Sequence, residues 1–116
     1  MSLPERDWRV LRVVKSAALH RYCAKVLEEC SKVIGAPGSH PHERYLSLYK
    51  LIQERDYRIA VAFKDLRRST AGARLAAMIE LGVVTDEEVA EFTPETREWI
   101  QTLKERYRSP GECRFR

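Results

Sequence analysis

No stretch of this chain approaches the roughly 20 consecutive apolar residues needed to span a bilayer. Pro4, Glu5, Arg6 and Asp7 stand where a secretory leader would need an apolar run. We read the chain as soluble, unexported and cytoplasmic, with no membrane partner. Glycine and proline are scarce, five of each, and they gather between periodic stretches, so the chain is interrupted at few places. Alternating strand patterns, internal repeats and low-complexity tracts are missing. So are the fingerprints GxSxG, HExxH, the P-loop and GxGxxG. That leaves enzymatic function without positive support and gives no reason to expect a cofactor.

Cysteine is sparse as well. Cys23, Cys30 and Cys113 cannot all pair within one chain, and none forms a CxxC. On one helix Cys23 and Cys30 would lie about 10 Å apart along the axis. A disulfide needs Cα atoms within about 7 Å, so reduced thiols in a cytosolic protein are the simplest account. His20, Cys23, Cys30, His40 and His42 crowd into one third of the chain, but only His20 and Cys23 have helical ligand spacing. No metal site is expected, because a second tight pair is lacking.

What is present is helical periodicity. In 116 residues, 44% are hydrophobic and 33% charged, the composition of a folded helical domain with one modest core. We expect an all-α bundle over residues 1–108, with 109–116 a flexible basic tail. The first helix should run from Pro4 or Asp7 to Ile34, and its wide apolar stripe implies more than one neighbour. Arg12 and Lys15 intrude on that stripe. Gly35, Pro37 and Gly38 break the chain. His40 then offers a cap and Pro41 a first helical residue, with Glu43 as an early acid. So short a loop predicts an antiparallel hairpin, with facing residue numbers summing to about 75. Ile52 would then lie near Cys23, and Tyr49 near Val26.

The second helix is expected from Pro41 to at least Arg68, with a bend or break at residues 68–70. Tyr45, Leu48, Tyr49, Ile52, Ile59, Ala60, Phe63 and Leu66 fall on one face. A third helix carries Leu75, Met78 and Ile79 and stops at Gly82. Thr85 and Glu88 spell a capping box, and Thr93 and Pro94 start a last helix carrying Trp99, Ile100, Leu103 and Tyr107.

Asp56 sits inside the oily stripe of the second helix and is the buried polar candidate. The expected register places it near Lys15, His20 or Tyr22, with Lys15 as its ion-pair partner. Arg58, Lys64, Arg67, Arg68 and Arg74 form a possible interaction or nucleic-acid face, residues 58–74. Net charge is +4, but Asp86, Glu87, Glu88, Glu91, Glu95 and Glu98 make a local acidic segment that can neutralise the basic body. The helix–Gly–helix pattern around Gly82 resembles a DNA-reading turn, yet its second helix is acidic and would repel phosphates. Nucleic-acid binding is therefore the alternative. The leading expectation is a non-enzymatic interaction or regulatory module, a homodimer or a binder of another protein. Two long helices expose more apolar surface than the remaining segments can cover.

Overall fold

The computed structural model describes residues 3–107. Among them are five helices and no strand: α1 (Glu5–Ile34), α2 (Pro41–Phe63), α3 (Ala71–Leu81), α4 (Asp86–Val89) and α5 (Pro94–Tyr107). The fold is the expected all-α bundle, an antiparallel hairpin of α1 and α2 with the shorter helices packed on it. The basic tail expected at 109–116, and Cys113 with it, lies outside the described residues.

The loop chemistry sets the hairpin. Pro41 opens α2 after His40, whose backbone N–H donates to Glu43 Oε1 at 3.1 Å. The Arg44 guanidinium donates to the Ser39 carbonyl at 2.8 Å. Further along, Arg55 donates Nε and Nη2 to the two carboxylate oxygens of Glu29, at 3.0 and 2.9 Å. This pair joins the helices more than one turn out of the register the loop length suggests, and Tyr49 and Ile52 remain 54% and 48% exposed. Long side chains and a six-residue loop leave that much freedom between two helices.

The second helix is shorter than its periodicity suggests. It ends at Phe63 rather than reaching Arg68, and Asp65 turns the chain with a left-handed φ of 55°. Two interactions hold the break. Thr70 donates its hydroxyl to the Asp65 carbonyl at 2.7 Å and accepts from the Arg67 N–H at 2.9 Å. Arg74 of α3 donates to the carbonyls of Lys64 and Val61, at 2.7 and 3.1 Å, satisfying groups that a helix end leaves open. Thr70 takes the position before α3.

Leu11, Val14, Ala18 and Tyr22 of α1 meet Ala62 and Phe63 of α2, and Leu75, Met78 and Ile79 of α3. Val83, Val84, Phe92, Ile100 and Leu103 complete this core. All of it gathers at the open end of the hairpin, so the loop end projects as an arm. The molecule measures 52 × 31 × 22 Å, with a radius of gyration of 16.4 Å. A compact domain of this size would be near 13 Å.

Two polar pins tie the last third of the chain to α1. Asp7 is fully buried. Its Oδ1 accepts from the Thr93 N–H at 2.8 Å, and its Oδ2 accepts from the hydroxyls of Thr93 and Thr96 at 2.7 and 2.5 Å. A carboxylate on α1 thus caps the N-terminus of α5, where the exposed amides and the helix dipole favour negative charge. The second pin is Arg21. It donates to both carboxylate oxygens of Glu88, at 2.8 and 2.7 Å, and to the Val83 carbonyl at 2.7 Å. Glu88 also closes the capping box with Thr85, so one guanidinium grips the corner that follows the left-handed Gly82.

Replacing Asp7 with Ala strands buried donors of α5 and should lower unfolding free energy by about 2–4 kcal/mol. Asp7→Asn should cost less, because its amide oxygen still accepts from Thr93. Urea titrations of both variants check this, and a loss under about 1 kcal/mol for the alanine would contradict the role.

Arg21's hydrogen bonds hold the Glu88 carboxyl below its ordinary value of 4.5. A depressed acid adds stability that is fully present above its unfolded pKa and is lost as pH falls through the folded one. Thermal melts should therefore show the wild type's advantage over Arg21→Gln intact at neutral pH. That advantage should shrink once the pH drops below 4.5.

Candidate functional site

The arm has two sides of opposite character. In α1 the positions turned toward α2 are Tyr22, Val26, Glu29 and Val33, all buried or half-buried. In α2 the corresponding positions are Leu48, Leu51, Arg55 and Ile59, all half-buried. Each further residue turns a helix by roughly 100°. Antiparallel helices turn in opposite senses when viewed along one axis, so the same angular step from their contact leads to the same side of the pair. On one side this step brings Lys25 and Glu28 of α1 together with Arg58 of α2. On the other it brings Leu27 and Ile34 together with Tyr45, Tyr49 and Ile52.

The first side is a charged groove. Its cavity of about 440 Å³ is lined by Tyr22, Lys25, Glu28, Glu29, Arg55, Arg58, Glu80 and Leu81. Leu81 belongs to α3, so this is the side the C-terminal helices cover. The cations here are largely matched within the protein. Arg55 pairs with Glu29 and also contacts Glu54, and Arg58 pairs with Glu54 at 2.5 Å. Hydrogen bonding to Arg55 holds the Glu29 carboxyl below its usual range, and burial pushes the Tyr22 phenol up.

The opposite side is nearly free of charge. Leu27, Ile34, Tyr45, Leu46, Tyr49 and Ile52 are between 43% and 68% exposed. Cys23, Ala24, Cys30, Ser31 and Gln53 fill the intervals. No lysine or arginine from residues 13–34 of α1 or 41–61 of α2 falls on this face, because those of the arm turn toward the groove or the flanks. Asp56 is its one carboxylate, and His20 and His42 are its two imidazoles. Apolar side chains with aromatic anchors and few charges are the make-up of an interface centre.

Asp56 itself corrects an expectation. It is exposed rather than buried, and among the described residues it makes neither an ion pair with Lys15 nor any other. Arg55 and Ile59 turn toward α1, which carries Asp56 round to the open side. The buried carboxylate is Asp7, at the head of a stripe it shares with Leu11, Val14 and Ala18. That spacing of four, three and four residues was the available signal.

The five basic candidates do not form one free surface. Arg67 pairs with Asp65 at 2.8 Å, and Arg68 pairs with Glu5 at 2.9 Å. Arg68 also lies over the Trp8 ring at 5.8 Å, as Arg12 does at 5.9 Å. Arg74 caps α2, Arg58 is held by Glu54, and Lys64 is exposed. None of these guanidiniums pairs with the acidic residues 86–98. Of the histidines, His20 and His40 are exposed, and His42 is stacked on Tyr45 with ring centroids 6.3 Å apart. Cys23 and Cys30 are free thiols. Among the described residues no three His, Cys, Asp or Glu side chains converge as a metal set, and no helix is long and apolar enough to cross a membrane. Comparison with protein-family models, curated proteins and solved structures finds no match for this chain.

Proposed function

We propose that this protein is a small cytoplasmic helical interaction module, non-enzymatic, that self-associates through the uncharged side of its arm. The observation that carries the reading is the exposure of Leu27, Ile34, Tyr45, Tyr49 and Ile52 together on a face without lysine or arginine. A contiguous apolar patch in water favours whatever covers it, and patches of this kind mark contact surfaces. The chemistry favours protein over lipid as the cover. Helices that lie in a membrane interface carry a polar face rich in lysine and arginine, whereas on the other side of this arm Arg55 and Arg58 are engaged by Glu29 and Glu54. It also disfavours nucleic acid, whose affinity comes from cations free to meet phosphates. Free thiols at Cys23 and Cys30 suit a reducing compartment.

Sedimentation equilibrium at micromolar concentration should give about twice the chain mass of 13.5 kDa. Leu27→Lys and Tyr49→Lys should each yield monomers with unchanged helicity, because exposed positions tolerate such changes within about 0.5 kcal/mol. A wild type that stays monomeric at high concentration would remove the self-association reading.

The alternative is a nucleic-acid face built on Arg58, Lys64, Arg67, Arg68 and Arg74. Since four of these five cations already have partners in the chain, binding to mixed duplex or single-stranded probes at low salt should be weak. Tight binding that falls steeply with added salt would put this alternative first.

A further inference from the structure

Resting on that self-association reading, we infer the geometry of the pair: two copies pack α2 against α2, antiparallel, with the two-fold axis at Tyr49. The anchors on the open face belong to α2. Tyr45 and Tyr49 are 63% and 54% exposed, whereas α1 contributes the small residues Cys23, Ala24 and Ser31 beside its two large ones. A symmetric contact gains most when the bulky rings lie near the axis, since each position there is used by both copies.

Charge complementarity sets the register. His42 and Asp56 lie seven residues on either side of Tyr49, two helical turns each way, which keeps all three on one face. Asp56 has no hydrogen-bond or ion-pair partner among the described residues, and His42 has only its ring contact with Tyr45. In an antiparallel pair centred on Tyr49, the His42 imidazole N–H donates to the partner's Asp56, and the same bond recurs at the other end. Between these ends Leu46 lies level with the partner's Ile52, one on each side of the contact line. A shift of one turn that sets Asp56 opposite the partner's Leu46 would leave both carboxylates facing apolar side chains, and the opposite shift would carry them past the start of α2 at Pro41.

Area and shape agree with this. The six large apolar residues of the open face, 43–68% exposed, present roughly 600 Å² if each offers about 150–200 Å² when bare. A standard interface buries about 800 Å² per partner, and the rims of the two arms supply the remainder. Helices α3 to α5 sit on the opposite side at the open end, so the antiparallel arrangement carries the two bodies apart.

Cross-linking tests the geometry. With Cys23→Ala, Cys30→Ala and Cys113→Ser as background, Tyr49→Cys should form a disulfide-linked dimer on mild oxidation, and Val13→Cys should not. If Tyr49→Cys links only to Leu27→Cys in a mixture, α2 packs on α1 of the second copy and the proposal is wrong. The wild-type background gives an independent reading that does not depend on replacing Cys30. There, His42→Asp should weaken dimerisation at least tenfold by opposing the partner's Asp56. Adding Asp56→His should restore it to within about threefold, the pair merely being exchanged. Failure of the double variant to recover, with the wild type dimeric, overturns this register but leaves self-association standing. A monomeric wild type overturns both.

Discussion

Two helices in contact make a slab with two sides, and the described residues beyond the hairpin cover one of them. That constraint organises the molecule. Residues 64–107 fold back onto a single side of the open end, where Leu75, Met78, Phe92 and Ile100 meet the buried stripe of α1. Residues 23–57 are left as an arm held by the contact between its own two helices and by the Glu29–Arg55 pair. Among the described residues the other side of the arm stays uncovered, and its lack of charge is what supports reading it as a docking face.

A core of this size cannot hold three short helices by apolar contact alone. Helix α4 spans four residues and α5 fourteen, and both are below the length at which helices persist unaided in water. Polar pins make up the difference. Asp7 supplies the N-terminal amides and hydroxyls of α5 with acceptors, and Arg21 grips Glu88 and Val83 so that the corner after Gly82 cannot swing away. Both side chains come from the first helix and reach residues more than sixty positions later. The hairpin is therefore the template on which the C-terminal third is ordered.

Basic residues illustrate how sequence clustering misleads about surface. Residues 58–74 read as an arginine-rich strip. In space its members serve the end of α2: Arg74 caps the helix, Arg67 braces the left-handed turn at Asp65, and Arg68 bridges to Glu5 above Trp8. A loop that leaves a helix abruptly exposes carbonyls and needs donors, and guanidiniums with five N–H groups are well suited to that task. Their density marks a structural junction.

The sequence by itself determined the helices and most of their ends. Periodicity identified α1 to its last residue, and Pro41, Gly82, the Thr85–Glu88 box and Thr93 with Pro94 placed four of the boundaries. These features act between residues no more than about four positions apart, so they are written locally. Tertiary structure alone decided what the apolar stripes meet. Asp56 and Asp7 each sit at helical spacing on an apolar face, and that spacing marks both alike. One is exposed because no described segment returns to its side of the hairpin. The other is buried because Thr93 and Thr96, nearly ninety residues away, return with donors for it. The end of α2 was settled in the same way, by Arg74 reaching back from the next helix. Burial depends on which distant segment arrives, and that cannot be read from a residue's neighbours in the chain.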